Sequence, residues 1–560
     1  MDGTAKSERV RLLTFTLVFA VVFSALPGHA LAAGAAPEGA AGAAHAPYLI
    51  IHLDAVSSHT FFDEFDSGRL PHIARAFDGG TVVRNALSLF IGGTEMIYPR
   101  LKNGGVSEDP YPIAWETYDR SSQTSSRRLE TARELYSYVP RYARSQFMHG
   151  LPVTEYLSGV AVLNVPRLLR EYAFVEVFWF STDTWGHVFG DEPQRASVRL
   201  LDRFLGEMMA SLQGMPVNLI LYGDHGMSFF ERWVDTDGAV WEVAGDGIQF
   251  YSYPNLYLAD PARSGEVARE LAARDEVDFA FYWKDESTIA GWHEGGKVFF
   301  TKHASGVAYR FEGEDPFGYS LFGYRGEALS DQEWLDLTYQ SSYPAAPVNL
   351  LRYMSNPQAG DVVVVVNPPK GLKTTAGLEG THCGMADTDL MVPVLLKGPD
   401  LDGREVPDPM WLHTLYREVL EIDPRADGSP NREKHSIRLR AGLTTDGPRA
   451  VPEVTYSPAR RFRANATGLP GDWEAFVEYD LYTSFNMRVW TGLGIEGGES
   501  GVNPIGTARV ELFLDRLSLS VLAILSPEGH KTVSKLSYEL DGGVSLEWTL
   551  PGEFGLSLSL

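Results

Sequence analysis

Apolar residues fall along this chain in two textures. From Tyr48 to about Asp423 they come as short unbroken runs with stretches of helical spacing between them; from about Val454 to Leu560 they alternate with polar residues. The runs include Tyr48-Leu-Ile-Ile-His-Leu-Asp54, Val175-Glu-Val-Phe-Trp-Phe-Ser181, Val217-Asn-Leu-Ile-Leu-Tyr222, Asp361-Val-Val-Val-Val-Val-Asn367 and Val392-Pro-Val-Leu-Leu-Lys397. Each has the length and composition of a buried strand. Gln194 to Leu212 carries Val198, Leu201, Phe204, Leu205 and Met208 at helix spacing, and Trp411 to Ile422 is a second helical stretch. Strands alternating with helices predict an α/β fold, a mostly parallel sheet sandwiched by helices.

Residues 236–356 interrupt the alternation with aromatic- and Gly-rich sequence, which predicts an inserted cap. Segments such as Ala475 to Tyr482, Ala508 to Leu514 and Val544 to Leu550 predict a C-terminal antiparallel β domain over 454–560. Alternation in an exported chain also admits a membrane barrel. About 105 residues leave room for few spanning strands, so a soluble sandwich or barrel is expected.

The N-terminus changes the picture of where the chain works. Lys6, Arg9 and Arg11 precede an apolar stretch from Leu12 to Leu26, broken by Pro27-Gly28 and followed by Ala30-Leu31-Ala32. That is the pattern of a secretory signal over 1–32 with an A-x-A cleavage site; the stretch is short for a bilayer span. Residues 33–47 are Ala/Gly-rich and read as a flexible lead-in, leaving 48–453 for the main domain. An exported protein, periplasmic or extracellular, is expected. The single cysteine, Cys383, allows no internal disulfide.

With 48 Lys+Arg against 73 Asp+Glu, the formal net charge is −25. No basic footprint for duplex nucleic acid is present in that balance.

The candidate chemistry sits where ligands bind in such sheets, beyond the carboxyl ends of the strands. Asp54 ends the first run. Asp183-Thr-Trp-Gly-His187 follows the second, with a carboxylate and an imidazole four residues apart. Asp224-His225 follows the third, and His382 lies in Gly380-Thr-His-Cys-Gly384. Three Asp and three His form a mixed oxygen and nitrogen donor set that suits zinc or a similar divalent ion.

These motifs resemble the alkaline phosphatase superfamily, and most closely its nucleotide pyrophosphatase/phosphodiesterase branch. There an N-terminal strand ends in a metal-binding Asp, a Thr or Ser nucleophile follows about forty residues later, and Asp-x-x-x-His, Asp-His-Gly and a late His-Gly complete the site. Asp54, Asp183 with His187, Asp224-His225-Gly226 and His382 stand at those places; Cys383 replaces the usual Gly. The resemblance covers about Tyr48 to Asp423 outside the insertion. For the nucleophile it points to Thr94 in Gly92-Gly-Thr-Glu-Met-Ile-Tyr-Pro-Arg-Leu-Lys-Asn-Gly104. The family's Pro two residues after the nucleophile is missing, and Pro99 stands five after, which leaves Ser88 as a rival.

Carried over, the resemblance implies two divalent metal ions. Asp183, His187 and His382 would hold one; Asp54, Asp224, His225 and the Thr94 oxygen would hold the other. It implies hydrolysis of phosphate esters, diesters foremost, through a phospho-threonine, with a small-molecule or lipid phosphate ester as substrate. A phosphomonoesterase or phosphonate hydrolase of the same fold is the alternative, and a non-catalytic metal-containing binding protein is the alternative from another class. Sulfatases need a C/S-x-P-x-R motif that is not found at Thr94.

Overall fold

The computed structural model describes residues 46–103, 113–125, 162–169 and 173–423 (save 213 and 374–376), and the strands lying between 436 and 559. The expected N-terminal signal and most of the expected lead-in lie outside the described residues.

The main domain is built on a six-stranded sheet: β1 (Tyr48–Leu53), β2 (Thr81–Leu87), β3 (Phe174–Trp179), β4 (Asn218–Gly223), β5 (Met391–Lys397) and β6 (Met410–Trp411), in the order β6-β2-β5-β4-β1-β3. β1 pairs parallel with β3 and β4. β5 runs antiparallel to both its neighbours, so the sheet is mixed. Every residue of β1 and β4 is buried, as the unbroken apolar runs require of strands covered on both faces. One cover is α3 (Asp191–Ser211), which buries Val198, Leu201, Phe204, Leu205 and Met208. These are the residues whose spacing predicts the helix.

One expected core strand lies elsewhere. Val362–Val365 pairs antiparallel with Phe279–Trp283 and Asn255–Leu258 inside a separate seven-stranded sheet. This sheet is made otherwise from residues of the inserted segment. A run of valines reports burial on both faces, but not which sheet provides it.

The C-terminal region is a closed barrel of ten antiparallel strands from Ser436 to Ser559, each paired with the next, and the last paired with the first. The antiparallel prediction holds. The expectation of few strands does not, because consecutive strands are separated by no more than four residues.

Candidate active site

All seven residues singled out in the sequence meet at the carboxyl end of β1 and β4. Asp54 follows β1 and Asp224-His225 follow β4; all three are fully buried. Thr94 opens the helix α1 (Thr94–Asn103). Asp183 and His187 lie on α2 (Ser181–Phe189), one turn apart on one face. His382 follows the short strand Gly380–Thr381.

The contacts are close. Thr94 Oγ1 donates to Asp54 Oδ1 at 3.0 Å and lies 3.3 Å from His225 Nε2. Asp183 Oδ1 is 3.1 Å from His187 Nε2 and 3.4 Å from His382 Nε2. Donor atoms of Asp183, His225 and His382 lie within 4.8 Å of one another, and so do those of Asp54, Asp224 and His225. His225 therefore touches both halves of the cluster.

The three imidazoles share one arrangement. Nδ1 of His187 lies 2.8 Å from the Gly380 carbonyl, Nδ1 of His225 lies 2.9 Å from that of Gly226, and Nδ1 of His382 lies 2.5 Å from that of Gly92. A carbonyl can only accept, so each Nδ1 carries a proton and each ring turns its Nε2 inward. This is how metal-binding histidines are oriented. Asp54 Oδ2, Asp183 Oδ1 and Asp224 Oδ2 are buried and make no hydrogen bond. Buried polar atoms are normally satisfied. Three orphaned carboxylate oxygens and three inward imidazole nitrogens fit divalent cations by donor chemistry and by charge.

Electrostatics agree. Burial and the charges of Asp224 and Asp183 push Asp54 well above the usual carboxylate range. Burial works the same way on Asp224, but His225 and His52 outweigh it and bring it to about 2. Burial lowers His225 to about 4. Without a cation the cluster resists holding all its carboxylates ionised.

Ser88 is fully buried, and its hydroxyl donates to the Asp224 carbonyl at 2.5 Å. It is held away from the cluster, whereas Thr94 lies within it. Cys383 does not join the donor set. Its sulfur sits 3.2 Å from Nδ1 of His382, on the outer edge of the ring, and reaches the Gly92 carbonyl. Its φ is 90°, the left-handed region that favours glycine, which accounts physically for the family's Gly at this place. Gly226 has a different reason: a Cβ there would lie 2.0 Å from the Thr388 carbonyl oxygen.

Sequence reasoning missed the support beneath the cluster. His52 is fully buried, two residues before Asp54 and so on the same face of β1, with Nε2 3.3 Å from Asp224 Oδ1. On its other side Nδ1 is 3.6 Å from Glu176. Glu176 also accepts from Tyr98 at 2.6 Å, Lys102 at 3.0 Å and Tyr222 at 3.0 Å. Burial would raise the Glu176 carboxyl, but Lys102 and His52 bring it to about 2. Asp389, pushed up to about 6 by burial, accepts from the Gly384 amide at 2.7 Å and from Ser228, pinning the His382 loop. The signals available were a lone His and a lone Glu inside apolar runs, and Asp389 ahead of β5.

Residues 88–304 match the model of a family described as type I phosphodiesterase / nucleotide pyrophosphatase. No curated protein matches the chain. Similar solved structures include murine ectonucleotide pyrophosphatase / phosphodiesterase 5, with 16% identity over 67% of this chain and 95% of that one and a TM-score of 0.41. The human protein of the same name shows 15% identity over 67% and 95%, with a TM-score of 0.43. An inactive threonine-to-alanine variant of the murine protein, in complex with AMP, shows 15% identity over 68% and 96%, with a TM-score of 0.42.

Proposed function

We propose that the chain, whose residues 88–304 match the type I phosphodiesterase / nucleotide pyrophosphatase model, is a phosphoester hydrolase of the nucleotide pyrophosphatase/phosphodiesterase-like branch of the alkaline phosphatase superfamily that cleaves phosphodiesters with Thr94 as nucleophile. The observation that carries this reading is the Thr94 hydroxyl at the junction of two donor groups, 3.0 Å from Asp54 and 3.3 Å from His225.

Asp54, Asp224 and His225 would hold one divalent cation beside Thr94, and Asp183, His187 and His382 a second. Such ions, zinc foremost by donor type, lower the pKa of a bound hydroxyl and draw charge from phosphoryl oxygens. The protein's own part is positional. Asp54 Oδ1 accepts the Thr94 proton's hydrogen bond and so aims an oxygen lone pair outward. The N-terminus of α1, where Thr94 sits, favours negative charge through its free amides. Attack by Oγ1 on phosphorus forms the Thr94–phosphate bond and expels one alcohol; water then cleaves that bond and regenerates the hydroxyl. His52 and Glu176 hold Asp224 in place from below, and Asp389 holds the His382 loop.

The test is turnover of bis-nitrophenyl phosphate, nitrophenyl phosphate and nitrophenyl sulfate by zinc-loaded protein. Diester should be the preferred substrate. Thr94→Ala should lose activity by several orders of magnitude and keep its bound zinc; Thr94→Ser should retain substantial activity. Near-normal turnover in Thr94→Ala refutes the nucleophile. Preference for nitrophenyl phosphate makes the enzyme a monoesterase. No turnover of any ester supports a binding protein.

A further inference from the structure

The C-terminal barrel is built inside out. In a soluble barrel the outward residues of each strand are polar and the inward ones apolar. Here Leu493 is 78% exposed, Leu525 60% and Val477 51%, whereas Glu478 is 0% and Glu547 1% exposed. The register makes the outward apolar residues continuous: Val477 faces Leu493, Val510 faces both Val489 and Val521, and Leu536 faces both Leu519 and Trp548. Ten of the fifteen large hydrophobic residues exposed among the described residues lie on this barrel. Such an apolar belt is not the isolated exposure normal for a soluble surface.

The inside holds charged and polar side chains beside a small apolar cluster. Arg509 pairs with Glu478 at 3.1 Å and Lys535 with Glu547 at 2.7 Å. Asn465 donates to Glu478 and the Trp490 indole to Glu511, both at 3.0 Å. Phe476, Ile505, Leu522 and Ile524 cluster within the same barrel, so its interior is packed with side chains.

Strand length is the independent observation. Seven of the ten strands, Asp472–Thr483, Met487–Gly498 and Gly501–Leu514 among them, have 9 to 14 residues, and Phe462–Leu469, Val544–Leu550 and Glu553–Ser559 have 8, 7 and 7; a tilted strand crosses a hydrocarbon core in about 9–11. The strand number is even and closure leaves no unpaired edge, as a low-dielectric surrounding demands.

We propose that this barrel is seated in a lipid bilayer and anchors the hydrolase domain at the membrane surface. An even number of strands returns the chain to the side on which it entered. On that side Asn164 donates to the Phe513 carbonyl at 3.1 Å and Arg167 stacks on the Phe513 ring at 4.1 Å, near the end of strand Gly501–Leu514. The hydrolase domain therefore meets the barrel at the same face as both barrel termini. The absence of a long apolar helix among the described residues does not bear on a span made of strands; the proposal departs here from the soluble barrel expected from the sequence.

The full chain, produced in a bacterium with an outer membrane, should stay with membranes through alkaline carbonate and urea washes and leave them only in detergent. Purified in detergent, it should insert into dilauroylphosphatidylcholine vesicles and float with them in a density gradient. Leu493→Arg and Val510→Arg should cut the inserted fraction about tenfold or more, while ester hydrolysis in detergent continues. A Leu493→Cys, Cys383→Ala protein carrying an environment-sensitive dye should shift blue on vesicle addition and be quenched by brominated lipid. A detergent-free soluble monomer that does not float overturns the proposal. A soluble oligomer in which the dye is shielded without lipid overturns it too, and assigns the belt to a second copy of the chain.

Discussion

Asp54→Asn should make the metal-free protein more stable than wild type and leave it with little to gain from zinc. The ligand oxygens of Asp54 and Asp224 lie within 4.8 Å. At an effective dielectric near 20, two unit charges at that distance repel by about 3.5 kcal/mol. The substitution removes the charge, keeps Oδ1 as acceptor for Thr94 and adds an amide donor to a cluster with orphaned acceptors. The sign with pH follows from the raised carboxyl. Because the folded state holds its proton more tightly than the unfolded chain, stability is full below the unfolded value of about 4 and declines as pH rises through the folded one. The comparison belongs at pH 9 in chelator, where the variant should melt roughly 3–6 °C above wild type for about 3 kcal/mol in a domain this large. With zinc at a hundred times its dissociation constant, wild type gains about 2.7 kcal/mol, and the variant should lose most of that gain together with bound zinc. Differential scanning fluorimetry with metal analysis reads both arms. An Asp54→Asn protein that melts lower than wild type in chelator, or that gains as much from zinc, would refute the account of the cluster as a cation site.

Three further substitutions probe the surroundings. Cys383→Gly should raise stability by about 0.5–1.5 kcal/mol by relieving a φ of 90°, with turnover within about twofold; a fall in melting temperature would mean the thiol contact to Gly92 matters more. Burial and the charges of Arg352 and Arg100 hold His413 neutral well below its ordinary range. As pH falls below about 6.5 the unfolded chain takes up a proton that the folded one refuses, so stability should drop by about 1.4 kcal/mol by pH 5.5. His413→Gln should flatten that slope, and an unchanged profile would contradict it. Gly226→Ala, forcing a Cβ to 2.0 Å from the Thr388 carbonyl, should cost zinc affinity even where the protein still folds; zinc titration checks it.

The cluster was legible because the ligands of such a sheet stand directly after its strands. Asp54, Asp183 and Asp224 each close or follow a hydrophobic run, so finding the runs finds the acids. His52 and Glu176 escaped for the opposite reason: they lie inside the runs, where a polar residue is explained only by partners brought from distant segments, Lys102 and Tyr222 among them. The sheet to which Val362–Val365 belongs and the reversed direction of β5 were equally invisible, because burial periodicity carries neither pairing partner nor polarity. Alternation did predict the C-terminal strands. Which alternate set faces inward is decided by closure, and only the closed barrel reveals Glu478 within and Leu493 without.

The order of strands in the main sheet also governs when the site can exist. β1, which Asp54 directly follows, is second from one edge, while β5, between β2 and β4, is contributed by residues 391–397. During synthesis the sheet therefore lacks an inner strand until nearly four hundred residues have been made, and His382 emerges only shortly before. Contacts of such long sequence separation form late. A chain threaded extended through a translocation channel, as the N-terminal segment predicts, would carry the Asp and His side chains of the cluster past one by one with no site for an ion to join. Metal would be acquired on the far side, so the zinc available there, rather than in the compartment of synthesis, would set how much of the protein becomes competent.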